Sequence, residues 1–184
     1  MKKIFPFLLF LAIVSIFAAC TKKDEVQIKT QKELITAHVW VGDSITPNVT
    51  TTFPFVTPEI TAALAAASTP RSNQATALEF KTTNDAVVYA RDTITSVLSN
   101  PQTTPYTIDE TTKKVTFTNV DAFIPAEIAV LLTTYNVTIP KVWDIQTLDD
   151  TRLRLYTEQT QNVTISGLPL AVPITLKVKL SFKK

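Results

Sequence analysis

The sequence predicts an all-β protein: an antiparallel up-and-down barrel of about eight strands, with a short N-terminal helix and two inserted short helices. Three observations carry that expectation. The segment Ile174–Phe182 alternates apolar and polar residues without a fault, as a strand with one dry and one wet face does. Several shorter runs alternate in the same way and are separated by Asn, Asp, Thr and Pro, so most strands join their sequence neighbours through turns. The composition agrees, being rich in Thr, Val, Ile and Leu, with two glycines and few strong helix formers other than Ala. Meandering strands that leave no edge unpaired favour a closed barrel over a sandwich.

Ahead of the barrel stands a segment that is not part of the fold. Met1-Lys2-Lys3 is a short basic start, and Ile4–Phe17 is an apolar run broken by Pro6 and Ser15. It is too short to span a bilayer comfortably as a mature helix and reads as a processing segment. Its end, Phe17-Ala18-Ala19-Cys20, resembles the lipobox of bacterial lipoproteins and holds the one cysteine of the chain. The resemblance implies that a diacylglyceryl group is joined to the Cys20 sulfur, that the chain is cut before it, and that the new amine is acylated. Several acyl chains, at about 0.8 kcal/mol per buried methylene, make such an anchor effectively permanent. Cys20 has no partner for an intrachain disulfide.

Thr21-Lys22-Lys23-Asp24-Glu25 reads as a solvated tether. Thr21 is not the Asp that holds enterobacterial lipoproteins at the inner membrane. Lys23-Asp24-Glu25 is similar to the signal that sends lipoproteins of Bacteroidota to the cell surface. The expected address is the outer membrane, lipid-anchored, on the cell surface or on the periplasmic face. The expected organisation is a signal peptide over 1–19, a lipidated tether over 20–29 and one barrel domain over 30–184. The 18 Lys and Arg include Lys2 and Lys3, so cleavage brings them level with the 16 Asp and Glu. A neutral mature chain, whose terminal Lys177, Lys179, Lys183 and Lys184 are dispersed, gives nucleic acid nothing to bind.

Within the domain, Thr30–Ala37 reads as a short helix with Thr30 as N-cap and Glu33 completing a capping box; its narrow apolar face suits a lid on a barrel end. His38–Ile45 follows as a first strand, in which Gly42 marks a bulge or bend rather than a phosphate loop. Residues 46–73 do not alternate and read as an insertion with a helix from Pro58 to Ala67, Thr57-Pro58 being a good N-cap and first-turn pair. Ala77–Lys81 and Ala86–Arg91 form a hairpin about Thr82–Asp85. Pro105–Asp109 and Lys114–Thr118 form a second about Glu110–Lys113, and Val142–Leu148 and Arg152–Tyr156 a third about Asp149–Thr151. Between the second and third lies another insertion, with an apolar helix from Pro125 to Thr133. Asn162–Ser166 is a further short strand.

These residues together resemble the lipocalin-like lipoproteins of Bacteroidota. The echoes are Lys32–Trp40, Leu78-Glu79-Phe80, Tyr106–Asp109 with Val115-Thr116-Phe117, and Trp143–Leu153. The resemblance implies a small closed barrel with room for an apolar cavity, in a family most of whose members have no assigned function. Asn84-Asp85 lacks the Gly that commonly follows the acidic residue, and the two insertions exceed what a minimal barrel requires. Loops that exceed the scaffold's needs are where a specific function would sit.

The residues point to no enzyme. His38 is the one histidine, with no Gly-x-Ser-x-Gly elbow or free thiol to partner it, and reads as structural or exposed. Asp109-Glu110 and Asp149-Asp150 belong to tight turns rather than to a calcium site, and no spacing of His or Cys suits a metal. No catalytic residue, metal site or cofactor is therefore expected. Trp40, Phe80, Tyr89, Tyr106, Phe117 and Trp143 are the bulky residues on strands that line a cavity or fill it, since eight strands enclose only just enough room for their own side chains. The expected function is non-enzymatic binding of a small apolar or amphipathic ligand by a membrane-anchored lipoprotein. The alternative is a structural lipoprotein with a filled barrel that contacts an envelope protein of unknown identity. Asp43-Ser44-Ile45 and Asp92-Thr93-Ile94 look like short O-glycosylation motifs of Bacteroidota.

Overall fold

In the computed structural model, which describes residues 29–54, 57–121, 137–163 and 171–184, the chain forms a closed barrel of eight antiparallel strands. Helix α1 (Gln31–Thr36) leads into strand β1 (Val39–Thr51). Then come helix α2 (Pro58–Ala67), the two-residue strand β2 (Arg71–Ser72), β3 (Thr76–Phe80), β4 (Asp85–Arg91) and β5 (Leu98–Asp109). Strands β6 (Lys114–Phe117), β7 (Val142–Leu148), β8 (Arg152–Val163) and β9 (Val172–Lys183) complete the set. Strands β3 to β9 pair in sequence order and β9 returns to β1, along pairs from Val41↔Lys183 to Thr51↔Ile174. Strand β2 is an annex on Ser44 and Ile45 of β1. The signal segment, Cys20, most of the tether, the helix expected at Pro125–Thr133 and residues 164–166 lie outside the described residues.

The alternation in the sequence sets which side chains point inward. On β9 Val172, Ile174, Leu176, Val178, Leu180 and Phe182 are all buried, and on β8 Leu153, Leu155 and Thr157 continue the same dry face. Strand β1 keeps its own face inward through a register shift between Gly42 and Ser44. A Cβ on Gly42 would overlap the carbonyl oxygen of Asn73, so the position is closed to any larger residue. The bulge expected at Gly42 is thus present, and its cause is the close approach of the β2–β3 connection.

One end of the barrel is sealed. The Thr30 hydroxyl accepts the Glu33 backbone N–H at 3.1 Å while the Glu33 carboxylate accepts the Thr30 N–H at 2.7 Å, fixing the start of α1. Ile35, fully buried, plugs the opening, and its carbonyl accepts the Trp40 indole N–H at 2.7 Å. The three expected hairpin turns all close at this end. Lys29 reaches Asp150 at 2.8 Å, Lys32 donates to Asn84 at 2.8 Å, and the Lys32 backbone N–H meets Glu110 at 3.4 Å. Helix α1, together with Lys29 just ahead of it, is therefore stitched to each turn in its rim.

All the longer connections leave at the opposite end: residues 52–75, 92–97, 118–141 and 164–171. Several strands run further than their alternation suggests. Strand β1 continues to Thr51, β5 begins at Leu98 rather than Pro105, and β8 extends to Val163. Strands β6 and β7, by contrast, are short, and they pair only with the closed-end portions of β5 and β8. Among the described residues, the far halves of β5 and β8 thus have no strand partner on that side.

The approaches to the second insertion are pinned there instead. The buried Thr104 hydroxyl accepts the Asn119 N–H at 2.9 Å, and the buried Thr157 hydroxyl donates to the Val142 carbonyl at 2.9 Å. The Gln161 side chain brackets Thr138, accepting its N–H at 3.0 Å and donating to its carbonyl at 2.9 Å. Val120, Val137 and Ile139 pack against the main core from these approaches. A smaller cluster of Val163, Val172 and Ile174 is covered by Phe53 and by Leu64 of α2. Ser68, just after α2, accepts the Val49 N–H at 2.9 Å and so docks the helix on β1.

Candidate functional site

Of the six bulky residues singled out in the sequence, the structure brings five together and sets one apart. Trp40, Phe80, Tyr106, Phe117 and Trp143 share one buried cluster in the sealed half of the barrel. Phe80 meets Tyr106 edge-on at 4.9 Å, a geometry that adds about 0.5–1.5 kcal/mol beyond the area buried, and meets Phe117 at a tilt at 6.0 Å. The Tyr106 hydroxyl donates to the Lys81 carbonyl at 2.9 Å, and burial raises its pKa. These rings lie against one another as core. The Trp143 indole N–H is buried with no hydrogen-bond partner among the described residues.

Tyr89 lies elsewhere, on the outer side of β4. Its hydroxyl donates to the Glu79 carboxylate at 2.7 Å, and that bond, burial and the Glu79 charge raise its pKa, so the phenol stays neutral. Opposite Tyr89 the β4–β5 ladder breaks. Val88 pairs with Gln102 and Ala90 with Ser99, which leaves Asn100 and Pro101 as extra residues facing one. Asn100 takes a left-handed conformation (φ 49°), and Pro101 has no N–H to donate. This bulge opens a hollow of about 270 Å³ lined by Ala75, Thr76, Val88, Tyr89, Ala90, Asn100 and Gln102. The lining mixes aliphatic carbons with an amide pair, a threonine hydroxyl and a neutral phenol. It carries no charged side chain. Bulges of this kind are over-represented beside binding sites, where they re-aim side chains.

Beyond the hollow, β4 and β5 continue as a ribbon that is wet on both faces, since every residue from Leu98 to Thr103 is exposed. Its tip is rigid. The Asp92 carboxylate accepts the N–H groups of Ile94 at 2.8 Å and Thr95 at 2.7 Å, which also holds its pKa below the usual carboxylate value. Arg91 reaches the Ser96 hydroxyl at 2.7 Å across the turn. The result presents Ile94, 92 % exposed, and Val97, 60 % exposed, to solvent. Thr93 of the second glycosylation-like triplet is exposed on this tip. Ser44 of the first is half-buried on β1, next to an Asp43 paired with Lys183 at 3.2 Å.

His38 is half-buried, edge-on to Trp40 at 5.6 Å, and its Nε2 has no partner among the described residues. The Asp109 and Asp149 carboxylates are occupied by their turns. Asp149 accepts from Thr151 N–H at 2.8 Å, Thr151 hydroxyl at 2.7 Å and Arg152 N–H at 2.8 Å, which lowers its pKa. No group of three or more His, Cys, Asp or Glu among the described residues is placed to hold a metal ion.

The sequence reading did not reach Asn100, Gln102, Thr76, Ala75 or Ala90. The signal that marks the site is Asn100-Pro101 inside an otherwise strand-like run, since a proline within a strand implies an edge or a bulge. Compared with protein-family models and with curated proteins, the chain matches none.

Proposed function

We propose that the protein is a membrane-anchored lipoprotein of the outer membrane, held by acyl groups on Cys20, that binds a small amphipathic ligand without transforming it. The observation that carries this reading is the contrast between a sealed, aromatic-filled barrel half and an opposite end that holds a mixed, uncharged hollow of about 270 Å³. An apolar body would lie on Val88, Ala75 and Ala90. Its hydroxyl, amide or carbonyl groups would meet Asn100, Gln102 and Thr76. Few, well-placed polar groups among apolar carbons are what small-molecule sites use to fix orientation. The absence of a charged lining residue favours a neutral ligand, because a charge buried there would go unpaired.

The test is organic extraction and mass spectrometry of the native lipidated chain purified from its own cells. The reading predicts one compound at near-stoichiometric amount, lost from an Ala90→Trp variant that fills the hollow. A wild-type chain with no extractable compound contradicts it. A second reading, an interaction lipoprotein, is favoured by the exposed Ile94 and Val97 on a rigid turn, a placement that costs solvation and contributes nothing to the core.

A further inference from the structure

The apolar tip and the hollow belong to the same ribbon, and that adjacency makes the surface self-complementary. Ile94 does not enter its own hollow: the Asp92 carboxylate accepts the N–H groups of Ile94 and Thr95 in the turn, and the Ile94 side chain is 92 % exposed. The tip is a branched aliphatic group flanked by Thr93, Thr95 and Ser96. It therefore has the amphipathic, uncharged character that the hollow's lining suits.

We propose that two copies of this chain pair about a two-fold axis through their β4–β5 ribbons, the Ile94 tip of each seated in the hollow of the other. A two-fold interface requires that if a surface element i meets j, then j meets i; a tip and a hollow on one ribbon meet that condition. Charge permits it as well. From Thr93 to Ile108 the chain has no ionisable side chain other than Tyr106, and the ribbon's Arg91 and Asp92 are of opposite sign. No like-charge excess is brought together. Among the described residues no strand pairs with the other side of Leu98–Thr103, and Pro101 interrupts its row of donors, so side-chain insertion rather than an added strand forms the contact. The ribbon and hollow offer fewer residues than the roughly 20–30 a side of a standard interface. The pair is accordingly weak and reversible.

The inference rests in part on the reading of the hollow as a binding site, and it makes the tip of a second copy a competitor of the small ligand. Sedimentation equilibrium of the native chain in density-matched detergent tests it, before and after removal of extractable compounds. Self-association with a Kd on the order of micromolar is expected. Ile94→Glu and Ala90→Trp should each weaken it roughly tenfold or more, and the double variant no further, because both remove one contact. A chain that stays monomeric at every concentration overturns the proposal, as does an association indifferent to both variants. Binding of the monomer to phosphatidylcholine vesicles that is lost in Ile94→Glu would assign the tip to a lipid surface instead and also overturns it. The two readings fail separately: a dimer that carries no extractable compound refutes the ligand reading alone, and a chain that carries a compound but stays monomeric after its removal refutes the dimer alone.

Discussion

The two ends of the barrel are made of the same strands and obey opposite rules. At the sealed end turns are short, the Asp109 and Asp149 carboxylates are consumed by backbone N–H groups, and Lys29 and α1 together are bonded to all three turns. At the loop end a non-glycine residue sits at positive φ within a strand, and aliphatic side chains face water. Part of the main core does pack there, since Val120, Val137 and Ile139 lie against it. The difference therefore lies less in the presence of burial than in its extent: the sealed end encloses its bulky side chains, although Trp143 Nε1 and His38 Nε2 have no partner among the described residues, whereas the other end keeps apolar side chains exposed. Stability and recognition are assigned to different ends of one sheet, and that division can be broken or sharpened experimentally.

The largest expected effect is in the sealed half. Phe80→Ala removes a side chain that contacts Tyr106 and Phe117 and should cost about 3–5 kcal/mol in denaturant unfolding. Next is the seam between the halves. Thr157→Val keeps the shape but deletes the buried hydroxyl that donates to the Val142 carbonyl, a loss of roughly 0.5–1.5 kcal/mol that Thr157→Ser should largely restore. At the rim, Thr30→Ala deletes the cap of α1 and should cost about 1 kcal/mol.

The turns of the sealed end also set a pH dependence. Asp109 and Asp149 have folded pKa values below those of the unfolded chain, so their contribution is fully present above the unfolded value near 3.8. It fades as pH falls through the lowered folded value. The thermal midpoint should therefore drop on acidification below about pH 4, and the Asp149→Asn variant should drop less steeply. An equal slope in wild type and variant would contradict the turn assignment. The smallest effect is at the ribbon tip, where Ile94→Ser should change stability by less than about 0.5 kcal/mol. A destabilisation of several kcal/mol there would mean that the tip is core and would erase the contrast.

Much of this architecture was legible from alternation, because alternation reports one dry face. Ile174–Phe182 showed it cleanly, and its inward residues are those expected. The capping box at Thr30 and Glu33 was equally plain, since its chemistry is local. Where the inner face is itself polar or wet, the pattern has nothing to report. Strand β8 carries Thr157, Gln159 and Gln161 on the face that begins with Leu153 and Leu155, so its second half reads as loop although its ladder to β9 runs unbroken to Val163. The first half of β5 is hidden for the same reason, with Ser99, Asn100 and Gln102 in place of aliphatics.

The candidate site was the least legible part. Tyr89 was singled out for its bulk. What gives it a site is the pairing that places Asn100 and Pro101 across from it, a non-local fact that spacing along the chain does not contain. The aromatic group expected either to line a cavity or to fill the barrel sits within packed core, five of six together. Aromatic bulk in a small barrel is first of all a way to fill it.

The measurement that tests the division of labour most directly is native-state hydrogen exchange of the lipidated chain, before and after its extractable compounds are removed. The account predicts faster exchange after removal at the amides of Val88, Ala90, Asn100 and Gln102, with those of Leu78, Val115 and Leu155 unchanged. Exchange that speeds up at the sealed end, or equally at both ends, would contradict it.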